Sequence, residues 1–543
     1  MNPLFQFTLA VALSMLIIPL VRGFAPRLGL VDMPDPRKVH SVPIPRVGGW
    51  GITLGLLLPL LLVFGSDRLV QAYAAGCLLL FGFGVWDDAR TIGHWPKFVG
   101  QLLAVAAVVY GADLWVARIP FYDGALPPEA GKPFTVFAMI GVINAINHSD
   151  GLDGLAGGES ILSLIAIALL GYVSDSALVV CVALATIGGI LGFLRYNSHP
   201  AYVFMGDSGS QVLGFTLGFL VVLLTQRANT AISAALPLLL LGMPVADIIS
   251  VLLQRVRGGM NWFRATRNHV HHRLLDLGFD HYETVVIIYS IQAVLVVSAV
   301  LARFESDASV TLIYLSVIAL LFTTLTVAER RGWRLARAGG TESRLTHAIA
   351  ALRRSNLLVE GALLTITILA PAVMLLSALW VARIPSDFSA AAAVLALVPA
   401  SQLLWPRAPR PAFLRLAIYA TAMLPAYLLI SNPDVLARGP QLLGIALIAV
   451  LALAIVVYVM FASDQRFGTT PTDYLVVCGL VALMVWGSIQ SSSHSVIEAA
   501  LLATVLMYAC EIIVGNAAEA PNRRTLQYST LGALLIIALR GVL

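Results

Sequence analysis

The chain has 543 residues, of which 59% are hydrophobic and only 12% charged, with a net charge of +5. Soluble domains carry about 25% charged residues and cannot hide this much apolar surface from water, so a soluble enzyme, a secreted disulfide scaffold and a disordered chain are excluded. The excess of basic residues does not signal nucleic acid, because those residues sit in short loops between apolar runs, where they act as topology signals and as a surface for anionic headgroups or phosphates.

About 20 apolar residues cross a hydrocarbon core of about 30 Å. On that ruler the sequence predicts an all-α, polytopic integral membrane protein with about eighteen transmembrane helices. Eleven form a first group near 4–21, 48–65, 69–86, 98–116, 133–147, 160–173, 177–194, 210–225, 230–253, 284–302 and 309–328. Seven more follow near 356–382, 390–405, 413–430, 441–461, 471–488, 495–515 and 527–542. Arg22 and Arg27 come after the first apolar run rather than before it, so that run is expected to be a span and not a cleaved signal. With the N-terminus outside, the odd-numbered loops hold 26 of the 34 Lys and Arg, and positive loops stay inside. The basic stretch 329–355 is expected to be a cytoplasmic seam between domains 1–328 and 356–543. Leu345, Ile349 and Leu352 beside Arg344, Arg353 and Arg354 suit a helix lying in the headgroup region. Cys77, Cys181, Cys478 and Cys510 all lie in apolar runs and lack metal-site spacing, which predicts buried thiols.

The polar residues then fall into four loops on one side. After the third span come Asp87 and Asp88, with Lys97 before the next span. Two adjacent acids at a membrane edge are tolerable beside a cation or a basic partner, although aspartates can equally cap a helix. After the fifth span, Asn144, Asn147, Asp150 and Asp153 recur every third residue and lead into a glycine-rich turn. A polar stripe leaving an apolar span is costly unless it binds something. After the seventh span, Asp207 sits among glycines and hydroxyls at a helix start, placed either as a cap or as a metal ligand. After the ninth span a basic loop carries Arg264, Arg267, His269, His271 and His272, with Asp247 as a buried acid that could face the same site. No cysteine or nearby glutamate completes a zinc set there, and histidines among arginines suit phosphate better. Carboxylate oxygens suit Mg²⁺ or Mn²⁺. Such a cation beside arginines and histidines is the arrangement for phosphoryl transfer. No P-loop is present.

The fragments Pro45-Arg46-Val47-Gly48-Gly49, Asp87-Asp88, Asn147-His148-Ser149-Asp150-Gly151-Leu152-Asp153-Gly154-Leu155-Ala156, Phe204-Met205-Gly206-Asp207-Ser208-Gly209-Ser210 and His269-Val270-His271-His272 stand in this order. Together they resemble the polyprenyl-phosphate N-acetylhexosamine-1-phosphate transferases, the MraY/WecA superfamily, over residues 1–328. The resemblance implies a bacterial inner-membrane enzyme with its active site at the cytoplasmic face, in keeping with the N-terminus-outside (periplasmic or extracellular) orientation expected from the basic loops. It would pass N-acetylhexosamine-1-phosphate, above all GlcNAc-1-phosphate, from a UDP-sugar to polyprenyl phosphate with Mg²⁺ or Mn²⁺ and release UMP. By motif, Asp207 is implied as metal ligand, with Asp150 beside it, and Asp87 and Asp88 lie near the acceptor phosphate or metal. Asn147, Asp150 and Asp153 would hold nucleotide and metal, and His269, His271 and His272 would meet the diphosphate or sugar. Arg46, Lys97, Asn144, Arg264 and Arg267 complete the implied substrate contacts. The peptidoglycan enzymes carry three consecutive histidines. His-Val-His-His instead resembles the WecA-like branch, which starts surface polysaccharides. A phosphate monoester has its second pKa near ~6, so the acceptor scarcely needs a general base, and an organising role for Asp87 or Asp88 is favoured over a basic one.

No chemistry is assigned to 356–543, which could serve as scaffold, oligomerisation surface such as that of a homodimer, docking site for a downstream glycosyltransferase or flippase, or transport module. Glu511 is its main intramembrane charge. A carrier or flippase for lipid-linked sugars is the alternative reading, and a lipid-diphosphate phosphatase a third. Carrier sites tend to lie at the bilayer midplane, whereas these acids crowd the ends of the spans.

Overall fold

The computed structural model describes residues 3–34, 42–259 and 268–335, then 357–380, 386–404, 441–461 and 520–541, with a few isolated positions between these. The described residues up to 335 form one compact unit and those from 357 onward another. The first unit runs α1 (Pro3–Leu28), a hairpin of β1 (Val31–Asp32) and β2 (Ile44–Pro45), α2 (Gly48–Phe64), α3 (Arg68–Ala89), α4 (His94–Val109), α5 (Pro128–Ser149), α6 (Leu155–Val173) and α7 (Ala177–Asn197). It continues with α8 (Asp207–Leu223), a π-helical turn (Leu224–Ala228), α9 (Leu236–Leu240), α10 (Gly242–Arg257), α11 (Val270–Asp276), α12 (His281–Leu301) and α13 (Asp307–Arg330).

Eight helices among the described residues are long and apolar enough to cross a bilayer, and Gly48–Phe64 is a shorter apolar helix. The protein is thus a mostly helical, multi-pass membrane protein. Two expected spans have different limits. The one near 98–116 begins at His94 and stops at Val109. An irregular segment follows, with Asp113 and Phe121 in the left-handed region, before Pro127 introduces α5. The one near 230–253 breaks into α9 and α10. Pro237 and Pro244 sit at the starts of the two pieces, where a missing N–H costs nothing. The spans expected near 413–430, 471–488 and 495–515 fall mostly outside the described residues, as do Glu511, Cys478 and the helix expected around Leu345–Leu352. The other three cysteines are buried and free.

The centre of the first unit is α8. Every residue from Ser208 to Leu223 is buried, because α8 packs on α5, α3 and α2 and also touches α6 and α7. A helix apolar on all sides belongs at the middle of a bundle. Tyr73 on α3 stacks on Phe215 and Phe219 of α8, and its hydroxyl meets Thr216 Oγ1 at 2.7 Å. By contrast α13 buries little of its length, as expected for a helix facing lipid. The hub position of α8 fixes its N-terminal residue, Asp207, in the middle of one end of the bundle.

The second unit packs the helix Leu357–Trp380 against Gln441–Phe461 and Ala520–Arg540, and Ser386–Leu404 against Ala520–Arg540. Its cores are aliphatic, with Ile366, Met374, Leu451, Leu506 and Leu526 in one and Ala378, Ala392, Leu534 and Ile537 in the other. Among its described residues the buried polar groups are hydroxyls and Gln527.

Candidate active site

Successive long helices run in opposite senses, so the ends of α3, α5, α7 and α10 and the starts of α4, α6, α8 and α12 gather at one end of the first unit. A backbone strap ties two of the motifs there. Phe204 N donates to Pro45 O (2.8 Å), while Gly48 N donates to Phe204 O and Gly49 N to Met205 O, both at 2.9 Å. The Pro45–Gly49 segment therefore lies along the turn that leads into Asp207.

Asp207 is the meeting point of side chains from α4, from α5 and from the next turn of its own helix. Lys97 Nζ on α4 donates to Asp207 Oδ2 at 2.6 Å and reaches Asp87 Oδ2 at 2.7 Å. Asn147 Nδ2 on α5 donates to Asp207 Oδ1 (3.2 Å) and to Ser210 Oγ (2.8 Å). Gln211 Nε2, one turn on, donates to Asp207 Oδ2 at 3.2 Å. Behind it Gln101 Nε2 donates to Gln211 Oε1 (3.3 Å), and Asn144 Nδ2 donates to Gln101 Oε1 (3.0 Å). Lys97 is thus the ammonium between two carboxylates from different helices, and an amide chain carries the network to Asn144.

Asp88 faces a different task from its neighbour. Its carboxylate accepts from Asp207 N (2.9 Å), Ser208 N (3.1 Å) and Ser208 Oγ (2.8 Å). It caps α8 from another helix, satisfying the first N–H groups of α8 and complementing the positive end of its dipole. Gly206 makes this possible. Its φ is +74°, and a Cβ there would come within 2.5 Å of Asp88 Oδ2. Asp87 and Asp88 are both 5% exposed, but only Asp87 is shared with Lys97.

The histidine run forms a second wall. Asp247 on α10 takes His269 Nδ1 at 2.7 Å and Val270 N at 2.8 Å, which orients the ring and caps α11. His269 stacks with His148 of α5 (centroids 5.4 Å apart) and with His271 (5.6 Å), and His271 meets His272 at 4.2 Å. Gly151 lies against His271, where a Cβ would fall 2.5 Å from Nε2. Burial and then the neighbouring His272 push His271 down to about 3, so its imidazole is neutral at ordinary pH.

Asp150 and Asp153 part company. Burial, followed by the negative charges of Asp207, Asp88 and Asp153, pushes the Asp150 carboxyl up to about 7, against the opposing charge of Arg46. Arg46 in turn holds Asp32 of the hairpin. Asp153 instead pairs with His199 Nδ1 (2.7 Å) and accepts from Ala201 N (3.0 Å). Of the residues expected at a site, Asp87, Lys97, Asn147 and Asp207 come together directly, and Asn144 joins through Gln101. Asp88 joins through the α8 backbone. Arg264 and Arg267 lie outside the described residues.

Several site residues carried no signal in the sequence. Gln101 and Gln211 look like ordinary polar residues of apolar helices, and only the fold brings Gln211 to Asp207 and Gln101 to Gln211. Asn197 braces two loops, accepting from Gly154 N (2.8 Å) and donating to Val203 O (2.9 Å). His199 and His281, 82 positions apart in the chain, stack at 4.0 Å.

The model of glycosyl transferase family 4 matches residues 70–225. A Bacillus subtilis protein named probable undecaprenyl-phosphate N-acetylglucosaminyl 1-phosphate transferase is 32% identical over 332 residues, 60% of this chain and 91% of the relative. The chain belongs to glycosyl transferase family 4. Within the family, the Haemophilus influenzae undecaprenyl-phosphate alpha-N-acetylglucosaminyl 1-phosphate transferase is 34% identical over 52% of this chain and 81% of its own. A Mycobacterium tuberculosis decaprenyl-phosphate N-acetylglucosaminephosphotransferase is 31% identical, covering 58% and 85% respectively. The family match runs from α3 into the π-helical turn, so it contains Asp87, Asp88, Lys97, Asn144, Asn147, Asp150, Asp153 and Asp207. The histidine run follows it.

Proposed function

We propose that this chain transfers N-acetylglucosamine-1-phosphate from UDP-N-acetylglucosamine to a polyprenyl phosphate at the cytoplasmic face of a bacterial inner membrane. An oxygen of the lipid phosphate attacks the phosphorus that bears the sugar. The bond joining the two phosphates of the nucleotide breaks, UMP leaves, and a lipid diphosphate sugar remains. The observation that carries the reading is the Asp87–Lys97–Asp207 bridge at the N-terminus of the central helix. Carboxylates from two helices meet there at the membrane edge.

A divalent cation, Mg²⁺ or Mn²⁺, fits this donor set. The place already draws an ammonium between two carboxylates, and Asp150 is pushed up by the same accumulation of negative charge. Carboxylate and amide oxygens suit hard cations. Asp207, with Asp87 and Asp150, would hold the ion, which when bound neutralises charge on the diphosphate. Lys97 would donate to a phosphate oxygen of the substrate. Asp88 positions Asp207 by capping α8. The neutral His271, and His269 held by Asp247, would donate hydrogen bonds to the diphosphate or sugar. Arg46 would add positive charge on the hairpin side. Residues 1–328 form the transferase part, and 356–543 is an added membrane domain.

The test is UMP release from UDP-N-acetylglucosamine by detergent-purified protein, with and without undecaprenyl phosphate. Release that requires the lipid phosphate supports the transferase. Release of phosphate from a lipid diphosphate would point to a phosphatase. Transbilayer movement of lipid-linked sugar without UMP release would point to a carrier.

A further inference from the structure

Between α4 and α5, at the end of the first unit opposite Asp207, the chain forms a loop whose base is packed and whose tip is bare. Leu114 at the base is buried, and Trp115 lies so close to α5 that a Cβ on Gly131 would fall 2.3 Å from its ring. Leu126 N donates to Ala117 O at 2.7 Å, which closes residues 117–126 into a compact loop. Gln226 of the π-helical turn clasps the neck. Its Oε1 accepts from Ala117 N and Arg118 N (3.1 and 3.0 Å), and its Nε2 donates to Arg118 O at 3.2 Å. The Arg118 guanidinium donates to Thr230 O and Ile232 O ahead of α9. At the tip stand Phe121 and Tyr122, 70% and 52% exposed.

Phe121 has a φ of +64°, a left-handed conformation that an aromatic residue adopts only at a cost. Its N–H donates to Asp307 Oδ2 at 3.4 Å. Asp307 is the first residue of α13, the helix that buries little of its length. Leu312, exposed on α13, lies about 7.5 Å further along the helix axis, and Leu315 follows it on the exposed surface. The aromatic tip therefore stands beside the point where the lipid-facing surface of α13 begins. Phe304, just ahead of α13, is exposed too, as are Tyr110 and Tyr172 at the ends of α4 and α6. Aromatic rings gathered at one level mark the boundary between headgroups and acyl chains.

We propose that the loop Ala117–Leu126 is a membrane-surface anchor, and that its occupant is the lipid of the leaflet opposite the Asp207 site. Phe121 and Tyr122 enter the headgroup boundary of that leaflet beside the start of α13. The Phe121 ring gains by leaving water, while the Tyr122 hydroxyl keeps a wet partner at the boundary. Continuity with the lipid-facing side of α13 favours lipid over a protein partner. The neck ties α5, the π-helical turn, the segment before α9 and the start of α13 to one loop, so seating its tip fixes the depth of several helices together.

The test uses full-length protein in nanodiscs of phosphatidylethanolamine and phosphatidylglycerol, with a nitroxide at Phe121→Cys and, separately, at Tyr122→Cys. Labels at Leu312→Cys and Glu129→Cys serve as lipid and water references, and labelled wild type corrects for the natural cysteines. Collision with oxygen relative to a water-soluble nickel chelate should exceed the Glu129 value by about threefold or more at both tip positions and approach the Leu312 value. In an unlabelled Phe121→Trp variant, the emission added over wild type should be quenched by brominated lipid and spared by acrylamide. Tip labels that meet the nickel chelate as often as Glu129 does would overturn the proposal, because the loop would then stand in water. Tip labels shielded from both reagents would overturn it as well, because protein would then cover the tip. Neither readout depends on whether UMP is released.

Discussion

At the end of the first unit where α3 begins and the π-helical turn closes α8, several charged and polar side chains are spent on backbone and on one another. Arg68 donates to Gly111 O (3.0 Å), and Arg227 to Ala112 O and Asp113 O (3.0 and 2.6 Å). Lys132 pairs with Asp113 at 2.6 Å. Gln226 Oε1 takes the N–H groups of Ala117 and Arg118, and Asp307 takes Ser233 Oγ and Ala235 N. These contacts pin irregular backbone. At the opposite end, acids from separate segments face one another with Lys97 as the ammonium between two of them, and Asp150 is left with a raised pKa. One end holds loops in place. The other gathers carboxylates around Asp207, and that local surplus is what a cation can relieve.

The largest effect is expected at Asp207. Asp207→Ala should lower UMP release roughly a thousandfold, about 4 kcal/mol of barrier, with the protein still folded by gel filtration. Appreciable turnover at saturating Mg²⁺ would remove Asp207 from the ion. Lys97→Ala should cost about a hundredfold in kcat, about 2.7 kcal/mol, and Lys97→Arg should restore only part of it, because a guanidinium cannot bridge two carboxylates in the same way.

The charge gathered around Asp150 should show in the pH dependence of cation binding. Asp150 in the metal-free protein titrates near 7, far above an ordinary carboxyl, so below that pH it holds a proton that a divalent cation must displace. Mg²⁺ affinity measured by calorimetry should therefore fall as pH drops through 7, by at most about tenfold per unit for one proton. Asp150→Asn should flatten that slope. His271 is neutral well above its lowered pKa, so its variants should leave the slope in place.

Smaller effects separate holding from reacting. Asp88→Ala removes the cap on α8 and should cost about 1–3 kcal/mol of stability, read as a lower melting temperature. At the other end, Gln226→Ala should cost about 1 kcal/mol and leave kcat within about twofold. A Gln226 variant that lost catalysis as Asp207→Ala does would erase the distinction between the two ends.

Much of this was legible in the chain. Apolar runs gave most helices to within a few residues, and the breaks at Val109 and at Leu241 follow from local turn chemistry that hydropathy averages away. Asp87, Lys97, Asn147 and Asp207 stood out because polar groups at the ends of apolar spans are costly. What did not show was the division of labour between adjacent acids. Asp87 and Asp88 are equivalent by composition, yet successive positions on a helix point about 100° apart, so one turns to Lys97 and the other to the α8 backbone. Asp150 and Asp153 differ likewise, since only the tertiary contacts bring His199 and His281 to one of them.

The sequence by itself determined that the chain lives in a membrane, where its helices run, and which polar residues had to be excused from lipid, because hydrophobic transfer is a local sum over each segment. Which carboxylate meets which partner was decided only by the tertiary structure. Those contacts join residues far apart in the chain, 120 positions for Asp88 and Ser208, and their geometry depends on how whole helices pack around α8.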